Sequence, residues 1–486
     1  LITKTRETKL ASYLTHQQKR ELRDREPPPQ PQPLSLDASP KQALTWATEQ
    51  YLPFRRWEIA IQQPPAEQKI SDRLADSFVQ WMLKHYPQMK LDPVERSDLN
   101  YSIVSFVRDL CQESPVLWVM VDGLGWLDHL ELLSLLTKND RLAVETSIQP
   151  RFSILPTKTE YAKWSLYAQL MPSSPHWGED INKGFSSIGM GKRYPDGELD
   201  KLHRDLKTKA HSLYCWDTDQ FDRLYHGQKD WHNLYRVQRP HILEGIAREI
   251  NYCLQQYPNS NELRIVIASD RGQMFGLSEQ MTRYPSELEP KGRMAIGKTD
   301  DPNFVVLDKD RYGLPHDISV VRGSASLGSL NNTANKKIIG SHGGLFPEEV
   351  VIGVSVLRKS VQRSPVFITC HGEGKPREPG QLEITIDNPN SVQLTDLCLY
   401  VRELPSLTTG QPLTQIILAN DKVSLTIDIP ECPELSPTHQ GNQLSLSGKL
   451  TFNYANSEAG TAELDSKSTF VVKQIFSSGL DIDEFL

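Results

Sequence analysis

The stretch 116–126, VLWVMVDGLGW, decides how this chain folds. Its six unbroken apolar residues are what a strand buried on both faces of a parallel sheet needs, and the Asp122-Gly123 pair ends the run in a turn. The arrangement returns at 264–272, RIVIASDRG, where a second apolar run ends on Asp270. A segment of helical periodicity, HILEGIAREINYCLQQY (241–257), lies ahead of it, so strands and helices alternate. Such alternation predicts an open, mostly parallel α/β sheet flanked by helices, with ligands bound beyond the carboxyl ends of the strands. Asp122 and Asp270 both fall there. Either one alone reads equally as a turn residue bonding its own backbone.

Three further segments add chemistry. LPTKTEYAKW (155–164) places Thr159 at or near the start of a helix running to about Leu170. Read plainly, this is a cap. Read functionally, free N–H groups and the helix dipole favour an anion there, and a hydroxyl activated by a metal ion is a suitable nucleophile for a phosphate ester. FDRLYH (221–226) sets Asp222 and His226 four apart, on one face of a helical turn and within reach of one ion. Asp217 and Asp219 compete with Asp222 for that role. GSHGGLFPEE (340–349) holds His342 among small residues that let a ligand approach. His176, His203, His211, His232 and His316 have no comparable setting and read as surface or core residues.

In this order, Asp122, PTKT, Asp-x-x-x-His, Ser-Asp-x-Gly and His-Gly-Gly, the set resembles the alkaline-phosphatase superfamily, and in particular the PglZ domain of bacteriophage-exclusion (BREX) defence systems. LMPSSPHW (170–177) and WATEQYLPFRRWE (46–58) are similar to flanking parts of that family, so the resemblance spans roughly 40–360. It implies an alkaline-phosphatase-like fold, with Thr159 rather than Thr157 as catalytic nucleophile. One metal site, for zinc, would use Asp222, His226 and His342. The second would use Asp122, Thr159, Asp270 and a histidine directly after Asp270.

Here that residue is Arg271. Arginine is cationic at ordinary pH and offers no lone pair to a metal. Three consequences stay open. The remaining oxygens could suit Mg²⁺ or Mn²⁺; the guanidinium could replace the second cation and grip phosphate, making Arg271 catalytic; or catalysis could be lost. The resemblance therefore supports two readings. One is a metal-dependent phosphatase or phosphodiesterase acting on phosphate esters, nucleic acid or nucleotide among them. The other is a degenerate scaffold subunit, favoured by Arg271 and by Ala168-Gln169 where relatives often carry Thr-Gly. In both, the partners implied are other BREX proteins, methyltransferase and ATPase subunits, with DNA reached through the complex.

The rest of the 486 residues sets the frame. TRETKLASYLTHQQKRELRDRE (5–26) is a charged helix candidate, and PPPQPQP (27–33) a stiff linker. ALTWATEQYL, ISDRLADSFVQWMLKHY and YSIVSFVRDL carry helical spacing, and YLPFRRW (51–57) reads as packing or a docking surface. These make a helical N-terminal region, 1–110, ahead of the α/β domain, 111–360. From 361 to 486, LEITIDN, DLCLYVREL, TQIILAN, KVSLTIDIP, LSLSGKLTFNY and STFVVKQIF alternate apolar and polar residues between turns and predict a β-sandwich. A net charge of −7 argues against a broadly basic nucleic-acid coat. Six scattered cysteines without a CxxC pair, the absence of an apolar signal core in LITKTRETKL and the lack of any membrane-length apolar run predict a reduced cytoplasmic protein.

Overall fold

The computed structural model describes residues 27–62, 68–138, 142–178, 180–227, 230–274, 277–278, 281–282, 289–327, 338–339, 342–436, 438–455 and 458–473. The helix expected at 5–26 lies outside them. The chain divides into two compact units, 1–136 with 148–356 and 137–147 with 357–486.

The first unit holds most of a six-stranded sheet. Its elements are α1 (Ile70–Met89), α2 (Ile103–Glu113), β1 (Val116–Val121), α3 (Trp126–Thr137), β2 (Ala143–Phe152), α4 (Thr159–Ala168), β3 (Gly191–Pro195), α5 (Leu199–Lys207), β4 (Leu213–Thr218), α6 (Gln220–Gly227), α7 (Arg239–Gln256), β5 (Arg264–Ala268) and β6 (Val351–Arg358). The strand order is β2-β6-β5-β1-β4-β3, and β3, β4, β1 and β5 run parallel. Every residue of β1, β4 and β5 is buried, as the unbroken apolar runs require. Val104, Val107, Leu166 and Tyr167 of α2 and α4 pack with Trp118, Met120 and Val266 of the strands in one core.

The helices before β1 fall within this unit. In YLPFRRW, Tyr51, Leu52, Phe54 and Arg55 are buried, which makes the cluster packing. Arg55 is 0 % exposed, donates to Glu348 at 3.0 Å and pairs with Asp72. Asn100 donates to the backbone oxygen of Asp270 at 2.8 Å, and Ser153 reaches the same atom at 2.8 Å. Two polar side chains from outside the central strands thus fix the backbone at the end of β5.

The second unit carries β7 (Phe367–Gly374), β8 (Gly380–Asn388), β9 (Leu394–Val401), β10 (Gln411–Pro412), β11 (Asp421–Ile429), β12 (Gln443–Ser445), β13 (Gly448–Tyr454), β14 (Glu458–Glu463) and β15 (Thr469–Val472). They form two sheets, β11-β8-β7-β15-β12 and β10-β9-β13-β14, in which every pair but β7 with β15 is antiparallel. Ile368, Ile384 and Ile386 of one sheet and Leu399, Leu450 and Phe452 of the other share a core. Along β11 the expected alternation holds, with Val423, Leu425 and Ile427 turned to that core and Ser424, Thr426 and Asp428 exposed. TQIILAN is not a strand. Only Ile417 pairs, in an isolated bridge with Leu394, while Ile416 and Leu418 are exposed.

Among the described residues no helix is long and apolar enough to cross a membrane.

Candidate metal centre

Parallel strands bring their carboxyl ends to one edge, and β1, β5 and β4 each deliver an aspartate there. Asp122 follows β1 and is 3 % exposed; Asp270 follows β5 and is fully buried. Gly123 turns the chain at φ +77°, and its N–H donates to Asp270 Oδ1 at 3.2 Å. The positive φ calls for glycine at this turn, where a Cβ would also press on the amide end of Gln273 at 2.5 Å.

Thr159 is the first residue of α4, with Lys158 as the cap. Its hydroxyl lines an open pocket of about 540 Å³ shared with Trp164, Trp177, Asp222, His226 and His342. Thr157 plays another part. It is fully buried, donates to Gly344 O at 2.9 Å and accepts from Gly343 N at 3.1 Å, which pins the loop carrying His342. Glu349 holds the other side of that loop, accepting from Gly344 N at 2.8 Å and from Arg293 Nε at 3.0 Å.

Asp222 and His226 share a face of α6, and His342 meets them from its loop. Asp222 Oδ2 lies 3.1 Å from His226 Nε2, and the two Nε2 atoms stand 3.3 Å apart. One ligand atom from each residue lies within 4.8 Å of the others. Ligands of a tetrahedral ion bound at about 2.0–2.1 Å are roughly 3.3 Å apart, so the spacing fits one. His342 Nδ1 lies 3.2 Å from Thr157 O, a contact that places the proton on Nδ1 and turns the Nε2 lone pair to the centre. Burial, then the nearby Arg271 and Lys158, hold His342 well below its usual pKa and so neutral. Asp222 is held well below the usual carboxylate range despite its burial, by its bond with His226 and by Arg271. Among its rivals, Asp217 is bound elsewhere and Asp219 pairs with Arg223 at 2.7 Å. The trio matches the residues expected to hold a divalent ion.

The other half of the site is different. Arg271 is fully buried and reaches back between the carboxylates, with Nη2 at 3.0 Å from Asp122 Oδ1, 2.8 Å from Asp222 Oδ1 and 2.8 Å from Thr159 Oγ1. Its Nε lies 3.3 Å from the same hydroxyl, which is also 3.4 Å from Asp122 Oδ1. On the far side, Lys163 Nζ lies 2.8 Å from Asp122 Oδ2 and 2.9 Å from Asp217 Oδ1. Burial opposes the Lys163 charge, yet Asp122 and Asp217 hold its pKa above the ordinary value. Asp217 is kept below its own in spite of burial, by Lys163 and Arg193. Asp270 is pushed up to about 7 by burial and by Asp122, and its Oδ2 has no hydrogen-bond partner.

Asp122, Thr159 and Asp270 therefore do not fit a second ion as they stand. Both oxygens of Asp122 already face protein cations. A dication about 4 Å from a fixed unit charge meets roughly 8 kcal/mol of repulsion at an effective dielectric of about 20, before the carboxylates' attraction is counted. The Mg²⁺ or Mn²⁺ expected there would have to displace Arg271. A grip on phosphate by Arg271 would likewise need its Nη2 to leave three acceptors.

Sequence reading missed Lys163, Asp217 as its anchor, Thr157 and Gln273, which donates to Asp222 Oδ1 at 3.1 Å. The spacing of Lys163 four residues after Thr159 was the available signal for one of them. It also missed a second grouping. His203 lies 2.6 Å from Glu249, with Cys253 3.7 Å from the same oxygen, between α5 and α7. Burial drives the Cys253 thiol well above its ordinary pKa, which favours a packed thiol over a thiolate ligand.

No protein-family model and no curated protein matches the chain. Among solved structures, it is similar to the murine ectonucleotide pyrophosphatase/phosphodiesterase 5, both in an inactive form in complex with AMP and alone, and to the human protein of that name. Identity is 14 % and the TM-score 0.37 in each case, over 50 % of this chain and 87–88 % of the other. At that overlap, the side chains of the site itself carry the functional reading.

Proposed function

We propose that the chain is a metal-dependent hydrolase of phosphate esters, of the phosphatase or phosphodiesterase kind, working with a single divalent ion. The observation that carries this is the convergence of Asp222, His226 and His342 on one pocket with Thr159, whose hydroxyl is held by the buried guanidinium of Arg271. The ion held by the three ligands, zinc by the chemistry of a two-histidine, one-carboxylate set, supplies Lewis acidity toward a phosphoryl oxygen.

The chain's own residues do the rest. Thr159 Oγ1 attacks phosphorus, an O–P bond forms, and the bond to the leaving oxygen breaks. The hydroxyl proton passes along the contact to Asp122. A water relays the proton from Asp122 to the departing oxygen, and a second water then cleaves the phosphothreonine, its hydroxyl going to phosphorus and its proton back to Thr159 Oγ1. Arg271, with two nitrogens on Oγ1, stabilises the oxyanion as it forms. The pocket beyond Thr159 offers Trp164 and Trp177 to the remainder of the ester. Hydrolysis of a chromogenic phosphodiester in the presence of Zn²⁺, lost at least 100-fold in Thr159→Ala with metal content unchanged, is the expected result. Equal rates in the two proteins would refute Thr159 as nucleophile.

A second reading has its own observation in favour. Arg271 is buried with Nη2 on three acceptors and both oxygens of Asp122 are taken, the state expected of a retired catalytic centre. The chain would then serve as a scaffold or sensing subunit of a cytoplasmic BREX complex, beside methyltransferase and ATPase subunits and with DNA reached through them. That role rests on the resemblance of the motifs. Co-purification with such subunits, unaltered by Thr159→Ala, together with absent hydrolysis, supports it; hydrolysis by the isolated wild type refutes it.

A further inference from the structure

We infer that the second cation of this centre is built from two side chains, Lys163 and Arg271 acting together, so that histidine at 271 alone does not open a second metal site. The inference deepens the single-ion reading above and rests on it for the identity of the first site.

Lys163 sits one helical turn beyond Thr159 on α4, on the face turned to the strand ends. It is 4 % exposed, and its ammonium bridges Asp122 Oδ2 and Asp217 Oδ1 at 2.8 and 2.9 Å. Arg271 approaches Asp122 from the other oxygen at 3.0 Å. Asp122 therefore lies between two fixed positive charges, and removing one leaves the other. Asp217 is also held by Arg193 Nε at 2.6 Å and by the Tyr167 hydroxyl at 3.0 Å. Two carboxylates, Asp122 and Asp217, thus meet Lys163, Arg193 and Arg271, and this half of the site needs no ion from solution. With Lys163 neutral and histidine at 271, Asp122 Oδ2 is released, as is Asp270 Oδ2, which makes no hydrogen bond and faces Arg271 Nε at 3.9 Å, and an imidazole joins them and Thr159. That is a set able to hold Zn²⁺.

The experiment counts Zn²⁺ per chain by native mass spectrometry after saturation and desalting, in wild type, Arg271→His and Arg271→His/Lys163→Met, with melting curves to confirm folding. Expected are no gain over wild type in Arg271→His and one added equivalent in the double variant. A gain in Arg271→His alone, or none in the folded double variant, overturns the inference. Should Lys163→Met unfold that background, Lys163→Gln keeps a hydrogen bond to the aspartates without the charge and is read by the same rule. Because the readout is a gain over wild type, it is independent of the first site. Wild type without zinc refutes the Asp222, His226 and His342 centre, while an equivalent gained only in the double variant still supports the role of Lys163.

Discussion

The two halves of the pocket handle the same electrostatic problem in opposite ways. Around His226 Nε2, Asp222 Oδ2 and His342 Nε2 stand 3.1 and 3.3 Å away, and the buried histidine is neutral. Both oxygens of Asp122 meet a nitrogen cation of the chain. Clustered acceptors are costly to bury unless a cation joins them. In the proposed reading the first half takes that cation from solution while Arg271 holds one oxygen of Asp222, and the second carries it on α4 and in the loop after β5. Loss of a metal ligand therefore need not empty a site. A substituted side chain can deliver the charge itself, in one geometry and without exchange.

The largest effect should come from removing the built-in charge. Arg271→Ala leaves Asp122, Asp222 and the Thr159 hydroxyl without their shared donor, and breaking a buried ion pair in this way costs about 3–5 kcal/mol. Urea denaturation checks it; a loss below about 1 kcal/mol would mean that the pairs are not what holds this half together. Next comes the other half. Ligand linkage gives about 2.7 kcal/mol at a free ion concentration 100 times Kd, so chelation should lower the melting temperature of wild type and leave His342→Ala unmoved. Equal shifts in both would place the ion elsewhere.

Thr157→Val tests how the two halves are joined. It strands Gly343 N and Gly344 O, at about 1–3 kcal/mol, and loosens the loop of His342, so zinc affinity should fall about tenfold or more, as is usual for an outer-shell contact. Unchanged affinity would show that the loop needs no such anchor. The smallest effect is a background that any pH series must subtract. His129 is fully buried, and burial pushes its pKa down from 6.5 to about 3. The unfolded chain takes up a proton near pH 6.5 that the folded chain refuses, so this contribution to stability is intact above 6.5 and falls as pH drops toward 3. Between pH 7 and 6 the loss is about 0.7 kcal/mol, and it should vanish in His129→Gln.

Much of the sheet was legible because burial on both faces leaves a plain mark. VLWVMV and RIVIA need no partner to be read as inner strands, and their terminal aspartates follow from the rule for parallel sheets. The trio proposed to hold an ion was legible for a different reason, the local spacing of Asp222 and His226 and the glycines around His342. Lys163 was not, since a lysine in a helix ordinarily marks a solvated face, and only the closeness of α4 to the ends of β1 and β4 turns it inward. Asp217 misled for the same cause. It lies close enough to Asp222 in sequence to compete for a metal, but its place in β4 sets it against Lys163 and Arg193. TQIILAN failed because apolar residues make a strand only where a neighbour offers a ladder, and here a single bridge from Ile417 to Leu394 is formed.

A one-ion centre is tested most directly by the metal content of the purified wild-type protein beside His342→Ala, read by native mass spectrometry. One divalent ion in the wild type and none in the variant is the expected outcome. Two ions in the wild type, or one that survives the loss of His342, would refute it.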